Sequence, residues 1–269
     1  MAAERLPNLF QRRGVFHLWR IGGSLAAVCV LGFGTMEAVA QIAHEEETVV
    51  RHFDGAGLRL IDVHNSAGSV HVVGVDRDEV TVRARVSHGL RSTGESARVD
   101  GDRLVLEGTC PVIGSDFCNV SYEVEVPNDV DVVIQADARI GVSDVTGDVE
   151  ARTDNGRVEA ARIGGDVVLS SDNGRVVGTD LRSGSAEAYS DNGRVEVGFV
   201  AAPGAVKAES DNGGVEVILP RTQDFYRIEE VSSDNGTAAT PEIRINPESE
   251  RTITATSDNG DVTVRYATR

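Results

Sequence analysis

The sequence predicts an all-β fold: a β-solenoid, parallel β-helix-like, of stacked Asp-Asn-Gly coils, preceded by an antiparallel β-rich section and one N-terminal transmembrane helix. Three observations carry this. Asp-Asn-Gly recurs six times in the second half, each time after Ser or Thr, with successive aspartates 18, 19, 20, 23 and 24 residues apart. A period of this size marks an internal repeat. Apolar residues hold fixed places on both sides of each tripeptide, and a largely apolar 23-residue stretch stands near the N-terminus.

The chain opens with a leader, residues 1–20, in which Arg5, Arg12, Arg13 and Arg20 face only Glu4. Residues 21–43 are largely apolar, interrupted by Glu37 and Gln41, and their length is close to the roughly 20 residues that span a bilayer. Trp19 sits where an interfacial aromatic belongs, and His44-Glu45-Glu46-Glu47 follows. By the positive-inside rule this predicts a single-pass membrane protein with a cytoplasmic N-terminus and an extracytoplasmic C-terminal part. Ala38-Val39-Ala40 also fits a signal-peptide cleavage site, so a cleaved segment is the alternative; the long arginine-bearing leader favours a retained anchor.

Hydrophobic residues make up 40% of the 269 and aromatics only 4%. That composition describes a thin core of Val and Ala, which suits stacked β-structure better than a deep globular interior. A net charge of −17 excludes a groove for a phosphate backbone, so no nucleic-acid partner is expected. Cys29 lies in the apolar span, whereas Cys110 and Cys118 enclose a short loop containing Pro and Gly. In an oxidising compartment that pair reads as a local disulfide; two thiols without histidine neighbours make a poor zinc site.

Residues 44–54 read as a tether, and residues 55–135 as the β-rich section with the Cys pair. Leu58–His64 and Ser69–Val73 alternate around Asn65-Ser66-Ala67-Gly68, a strand-turn-strand signal and a degenerate first repeat. Val80–Val86, Arg103–Glu107 and Val120–Val126 are further strands, and this section is expected to cover the first open edge of the stack.

Residues 136–269 are the repeats. Counted from each Asp, positions −5 and −3 hold pairs such as Val149 and Ala151 or Val167 and Leu169. Positions +4 and +6 hold Val158 and Ala160, or Val195 and Val197. One face is therefore buried and the other wet. A further apolar residue recurs near +9, at Ile163, Leu181, Val200 and Ile243. In the fifth unit Glu229 falls at −5, which predicts an irregular coil, and the connections 219–226 and 241–247 should bulge outward. A string of hairpins would bury the same faces, but isolated two-stranded hairpins are marginal in water.

The corner residues are Asn155, Gly156, Asn173, Gly174, Asn192, Gly193, Asn212, Gly213, Asn235, Gly236, Asn259 and Gly260. Gly and Asn suit the positive φ of a tight corner, Asp can accept amides of its own turn, and stacked Asn side chains can bond up the column. On this reading Gly193→Val damages folding and Arg194→Ala does not. Calcium is the competing reading, with Asp154, Asp172, Asp191 and Asp211 as ligand candidates; the known glycine-rich nonapeptide spacing is absent. His64 and His71 fall at outward strand positions, acidic residues follow the repeat, and no phosphate-cradling loop precedes a helix. No catalytic residue and no cofactor are assigned.

The repeated Ser-Asp-Asn-Gly-x-Val-x-Val, the Asn65–Val73 unit, the Val124-Glu125-Val126-Pro127 block and the membrane segment together resemble the bacterial "putative adhesin" family, the domain of unknown function numbered 4097. Its actinobacterial members share the anchoring helix and the Cys pair. The resemblance implies an outward-facing β-solenoid with an adhesin-like, non-catalytic role toward a cell-surface or envelope component. It carries over no catalytic residue and no ligand. An envelope-stress sensor and a glycan-active β-helix enzyme are the alternatives.

Overall fold

The structure, a computed structural model, describes residues 45–66, 68–88, 93–111 and 118–268. The expected leader and membrane span lie outside these residues; among the described residues no helix is long and apolar enough to cross a membrane. The described chain is all-β. Its first strands are β1 (Glu45–Asp54), β2 (Leu60–Asn65), β3 (Val70–Val75), β4 (Glu79–His88), β5 (Gly94–Asp100), β6 (Arg103–Thr109) and β7 (Asn119–Pro127). The middle of the chain supplies β8 (Asp131–Ala136), β9 (Ile140–Ser143), β10 (Val149–Thr153), β11 (Val158–Ala161), β12 (Val167–Ser171) and β13 (Val176–Leu181). The last strands are β14 (Ser185–Ser190), β15 (Val195–Phe199), β16 (Ala205–Ser210), β17 (Val215–Leu219), β18 (Arg227–Ser233), β19 (Ala238–Ala239), β20 (Thr252–Ser257) and β21 (Val262–Tyr266).

These strands form two mixed sheets, of eleven and ten strands. Each Asp-Asn-Gly corner joins a strand of the ten-stranded sheet to a strand of the eleven-stranded one, and we call any strand of the first sheet followed in the chain by a strand of the second a rung. Rungs pair in parallel and in strict register: Val149 opposes Val167, Val167 opposes Ala186 and Ala186 opposes Val206. On the other sheet Val158 opposes Val176, which opposes Val195, which opposes Val215. The −5, −3, +4 and +6 residues of these rungs are buried and belong to one continuous core, apart from Gly178 at a +6 position, which packs against Leu181 and Val197. Fully burying a Val or Ile side chain contributes about 1.5–3 kcal/mol, so the small residues work by number.

The section at 55–135 is not an antiparallel block. β2 pairs in parallel with β6 and β8, and β3 in parallel with β7 and β9, because the Asn65 corner is a repeat corner and stacks as one. The expected boundary at 135–136 falls inside β8. Among the described residues antiparallel pairing is confined to the capping strands: β4 on β7, β1 on β4 and β5 on β6. The tether expected at 44–54 is thus largely strand β1. Its Glu-rich start hid it, since an edge strand needs only one apolar face, here Val49 and Phe53 packed on the core. Cys110 and Cys118 are disulfide-bonded.

Rung order departs from chain order at both ends. The β6–β7 rung lies outside β2–β3, and the last rung in sequence, β20–β21, lies inside the stack between β16–β17 and β18–β19. β20 pairs with both β16 and β18. The terminal rung is irregular as expected: a bulge between Ile228 and Glu230 skips Glu229 and puts Ile228 opposite Ile253. At +9, Ile163 and Leu181 are buried but Val200 is 47% exposed. A register shift after Gly178 brings Phe199 opposite Leu181 instead. The two long connections bulge only at their tips: Leu219 and Tyr226 are buried, and Tyr226 bridges to Ile245.

Candidate functional site

The repeated tripeptide is the first candidate, and its polar groups are used between rungs. Asn173 donates through Nδ2 to Asn155 Oδ1 at 3.1 Å, Asn192 to Asn173 at 3.0 Å and Asn212 to Asn192 at 3.1 Å. The ladder continues in spatial order: Asn259 donates to Asn212 at 3.1 Å and Asn235 to Asn259 at 3.0 Å. The Asn backbone amides donate likewise to the Asp carbonyl of the adjacent rung, as in Asn173 to Asp154 at 2.9 Å.

The residue before each Asp does what sequence reasoning assigned to Asp. Ser171, fully buried, donates to the Gly156 carbonyl at 2.8 Å and accepts the Gly174 amide at 2.8 Å. Ser190, Ser210 and Ser257 repeat the donation to the glycine carbonyl one rung away, each at 2.8 Å. The constant Ser or Thr was the available signal. At the second corner other aspartates accept amides: Asp131, Asp148 and Asp166 each take one from the next rung at 2.8–2.9 Å. Ser171→Ala orphans a buried carbonyl and a half-buried amide, and we expect it to cost about 1–3 kcal/mol in denaturant unfolding. Ser171→Thr, which restores the hydroxyl as Thr153 does at its own corner, should cost much less; equal losses would refute this role.

The glycines do not serve through positive φ. The left-handed residues include Asp144, Arg162 and Asp180 on the far side of the rungs, and none of the six tripeptide glycines or asparagines. Gly is required because a Cβ would overlap the neighbouring rung: at Gly174 it meets the Gly156 carbonyl oxygen, and at Gly193 that of Gly174.

The calcium candidates are spread along the column. Arg152 approaches Asp172 at 4.0 Å, and Tyr189 lies between Asp191 and Asp211, with its hydroxyl 3.5 Å from both Asp211 oxygens. Its phenol is pushed up to about 12, first by the hydrogen bond to Asp191. Among the described residues no three His, Cys, Asp or Glu side chains gather to hold a metal ion. Asp154 instead borders a cleft of about 470 Å³ with His64, Gln135, Asp137 and Arg152. His64 pairs with Asp62 at 3.1 Å, and Asp62 also receives Arg103.

Outward charges are tied between rungs. Glu216 is half-buried; burial pushes its carboxyl up, but bonds from Arg265 and Arg194, at 2.7 Å each, hold it below its ordinary value. Asp144 is likewise lowered, chiefly by Arg162, and Asp261 by the Thr237 hydroxyl and amide. These groups protonate at lower pH in the folded chain than in the unfolded one. Their stabilisation is therefore complete above the ordinary carboxylate range, about pH 4–5, and is lost as pH falls through the folded values. The melting temperature should be flat from neutral pH to about 5 and fall below about 4, with a shallower fall in Glu216→Gln. An equally steep fall would show that this carboxylate is uninvolved.

No family model and no curated protein matches this chain. Among solved structures, similar ones include a "putative cell adhesion protein" from Clostridium sporogenes, with 10% identity, a TM-score of 0.43, and 83% of this chain and 100% of that one covered. A "putative adhesin" from Bacteroides fragilis has 13% identity and a TM-score of 0.34, covering 82% and 97%. Another, from Parabacteroides distasonis, has 15% identity and a TM-score of 0.37, covering 82% and 97%. Likeness this slight assigns no function.

Proposed function

We propose that the chain is a membrane-anchored, extracytoplasmic β-solenoid with an adhesin-like, non-catalytic role in binding cell-surface or envelope components. One observation carries this reading. The Asn side chains and the Ser or Thr hydroxyls of the repeat are consumed by bonds between rungs, so they build a rod and leave interaction to the rod's outer surfaces. Nine rungs among the described residues, at about 4.8 Å spacing, give sheet faces roughly 40 Å long. Their side chains stand in rows: Glu150, Val168, Glu187 and Lys207 line up on adjacent strands and face solvent. An extended, regular face suits a polymeric or repetitive partner better than a small substrate.

The test is retention of the protein on cell-wall glycan and envelope-protein preparations, with and without calcium, together with the intact mass of the membrane-extracted chain. Retention without release of soluble fragments is expected, with the leader intact. Released fragments would make it a glycan-active enzyme, and a chain cleaved after Ala40 would remove the anchor.

A further inference from the structure

The long connections after β17 and β19 break the repeat and build a second cleft, of about 860 Å³, against the second corners at Gly184 and Gly204. Phe225 lines it and is 43% exposed, in a chain where aromatics are scarce. The Arg244 guanidinium lies over one face of the ring, 4.4 Å from its centroid, and also donates to Gln223 Oε1. Phe225 and Gln223 line the cleft and Arg244 does not, so the guanidinium backs the ring from outside and takes the Gln223 oxygen, which leaves that residue its amide N–H groups as donors. Asn246 is oriented the same way: its Oδ1 accepts the Glu248 amide at 3.0 Å, and its N–H groups remain.

The charges in the cleft select against anions. Arg251 is the cation among the lining residues, and Asp224 offsets its charge. Its Nε lies 3.3 Å from Asp224 Oδ1, and its Nη1 donates to the Ala202 and Pro203 carbonyls at 3.0 Å. Glu250 adds a second carboxylate. A ligand here meets one flat apolar surface rimmed by amide donors and carboxylate acceptors. A pyranose ring has the complementary make-up, a C–H face surrounded by hydroxyls that both donate and accept.

We propose that this cleft binds a neutral saccharide chain, one equatorially substituted hexopyranose stacking on the face of Phe225 away from Arg244 while Gln223, Asn246, Asp224 and Glu250 bond its hydroxyls. The site lies where the non-repeating loops meet the second corners at Gly184 and Gly204. It deepens the surface-binding reading above and rests on it for the ligand's source.

The test titrates the full chain with chitotetraose, cellotetraose and the anionic tetragalacturonate, by calorimetry or ligand-observed NMR. Binding of at least one neutral tetrasaccharide is expected, with a Kd on the order of 1 mM or tighter. Phe225→Ala should weaken it roughly 3- to 10-fold, with the melting temperature unchanged because the ring is exposed. Gln223→Ala, also at an exposed position, is the second variant should Phe225→Ala fail to fold, and weakening is expected there too. The proposal is overturned if neither neutral saccharide binds, if both variants bind like the parent chain, or if tetragalacturonate binds better. Retention on cell-wall material by a chain that binds no tetrasaccharide would overturn this site and leave the broader reading standing.

Discussion

Gly193→Val is expected to destabilise the protein by about 3 kcal/mol or more, because the added Cβ overlaps the Gly174 carbonyl oxygen of the neighbouring rung. Overpacking commonly costs 1–3 kcal/mol where flexible side chains yield; here the obstacle is backbone. The strand registers on both sides would have to separate, and Gly213, whose Cβ would in turn overlap Gly193, transmits the displacement to the next rung. Arg194→Ala is no longer the best neutral control, since Arg194 donates to half-buried Glu216 at 2.7 Å. Arg175, exposed at the equivalent place one rung back, serves instead, and Arg175→Ala should stay within about 0.5 kcal/mol. Equal midpoints for the glycine and arginine variants in denaturant unfolding would sink the steric account.

Ending the chain after Pro247 should do more than remove one rung. The deleted β20 and β21 are the partners of β18 and β19 as well as of β16 and β17. Ile253, Ala255, Val262 and Val264 leave the core, and Tyr226, Ile228 and Val231 lose their cover. At about 1.5–3 kcal/mol per buried aliphatic side chain, this rivals the 5–15 kcal/mol that holds a typical domain folded. In a stack laid down in chain order, the same truncation would trim the end and leave residues up to 247 folded. Limited proteolysis distinguishes the two: cleavage throughout 220–247 is expected, with β8 to β15 protected. Protection of β18 in the truncated chain would contradict the rung order.

The period of the tripeptide and the alternation around it made the repeated rungs legible, and Val149, Val167, Ala186 and Val206 oppose one another as that pattern requires. Which rung neighbours which was not legible, because nearly identical repeats present the same apolar pairs to any partner. Only the long connections after Leu219 and Ala239 hinted that the chain turns back. Glycine's role was misread for a related reason: sequence cannot separate a residue chosen for its φ from one chosen for lack of a Cβ, and here the neighbouring carbonyl decides. The cleft around Phe225 was invisible because the loops that build it lie outside the repeat and meet through contacts distant in sequence, such as Arg251 with Asp224 and Tyr226 with Ile245.

The placement of β20–β21 inside the stack sets space against time. A ribosome releases β18 and β19 before the strands that template them, so this end of the stack cannot take its final form until β20 and β21 have emerged. Either β18 waits with Ile228 and Val231 uncovered, or it occupies the edge of β16 and is later displaced by β20. By the second route completion is a strand exchange that starts only once β20 and β21 have emerged.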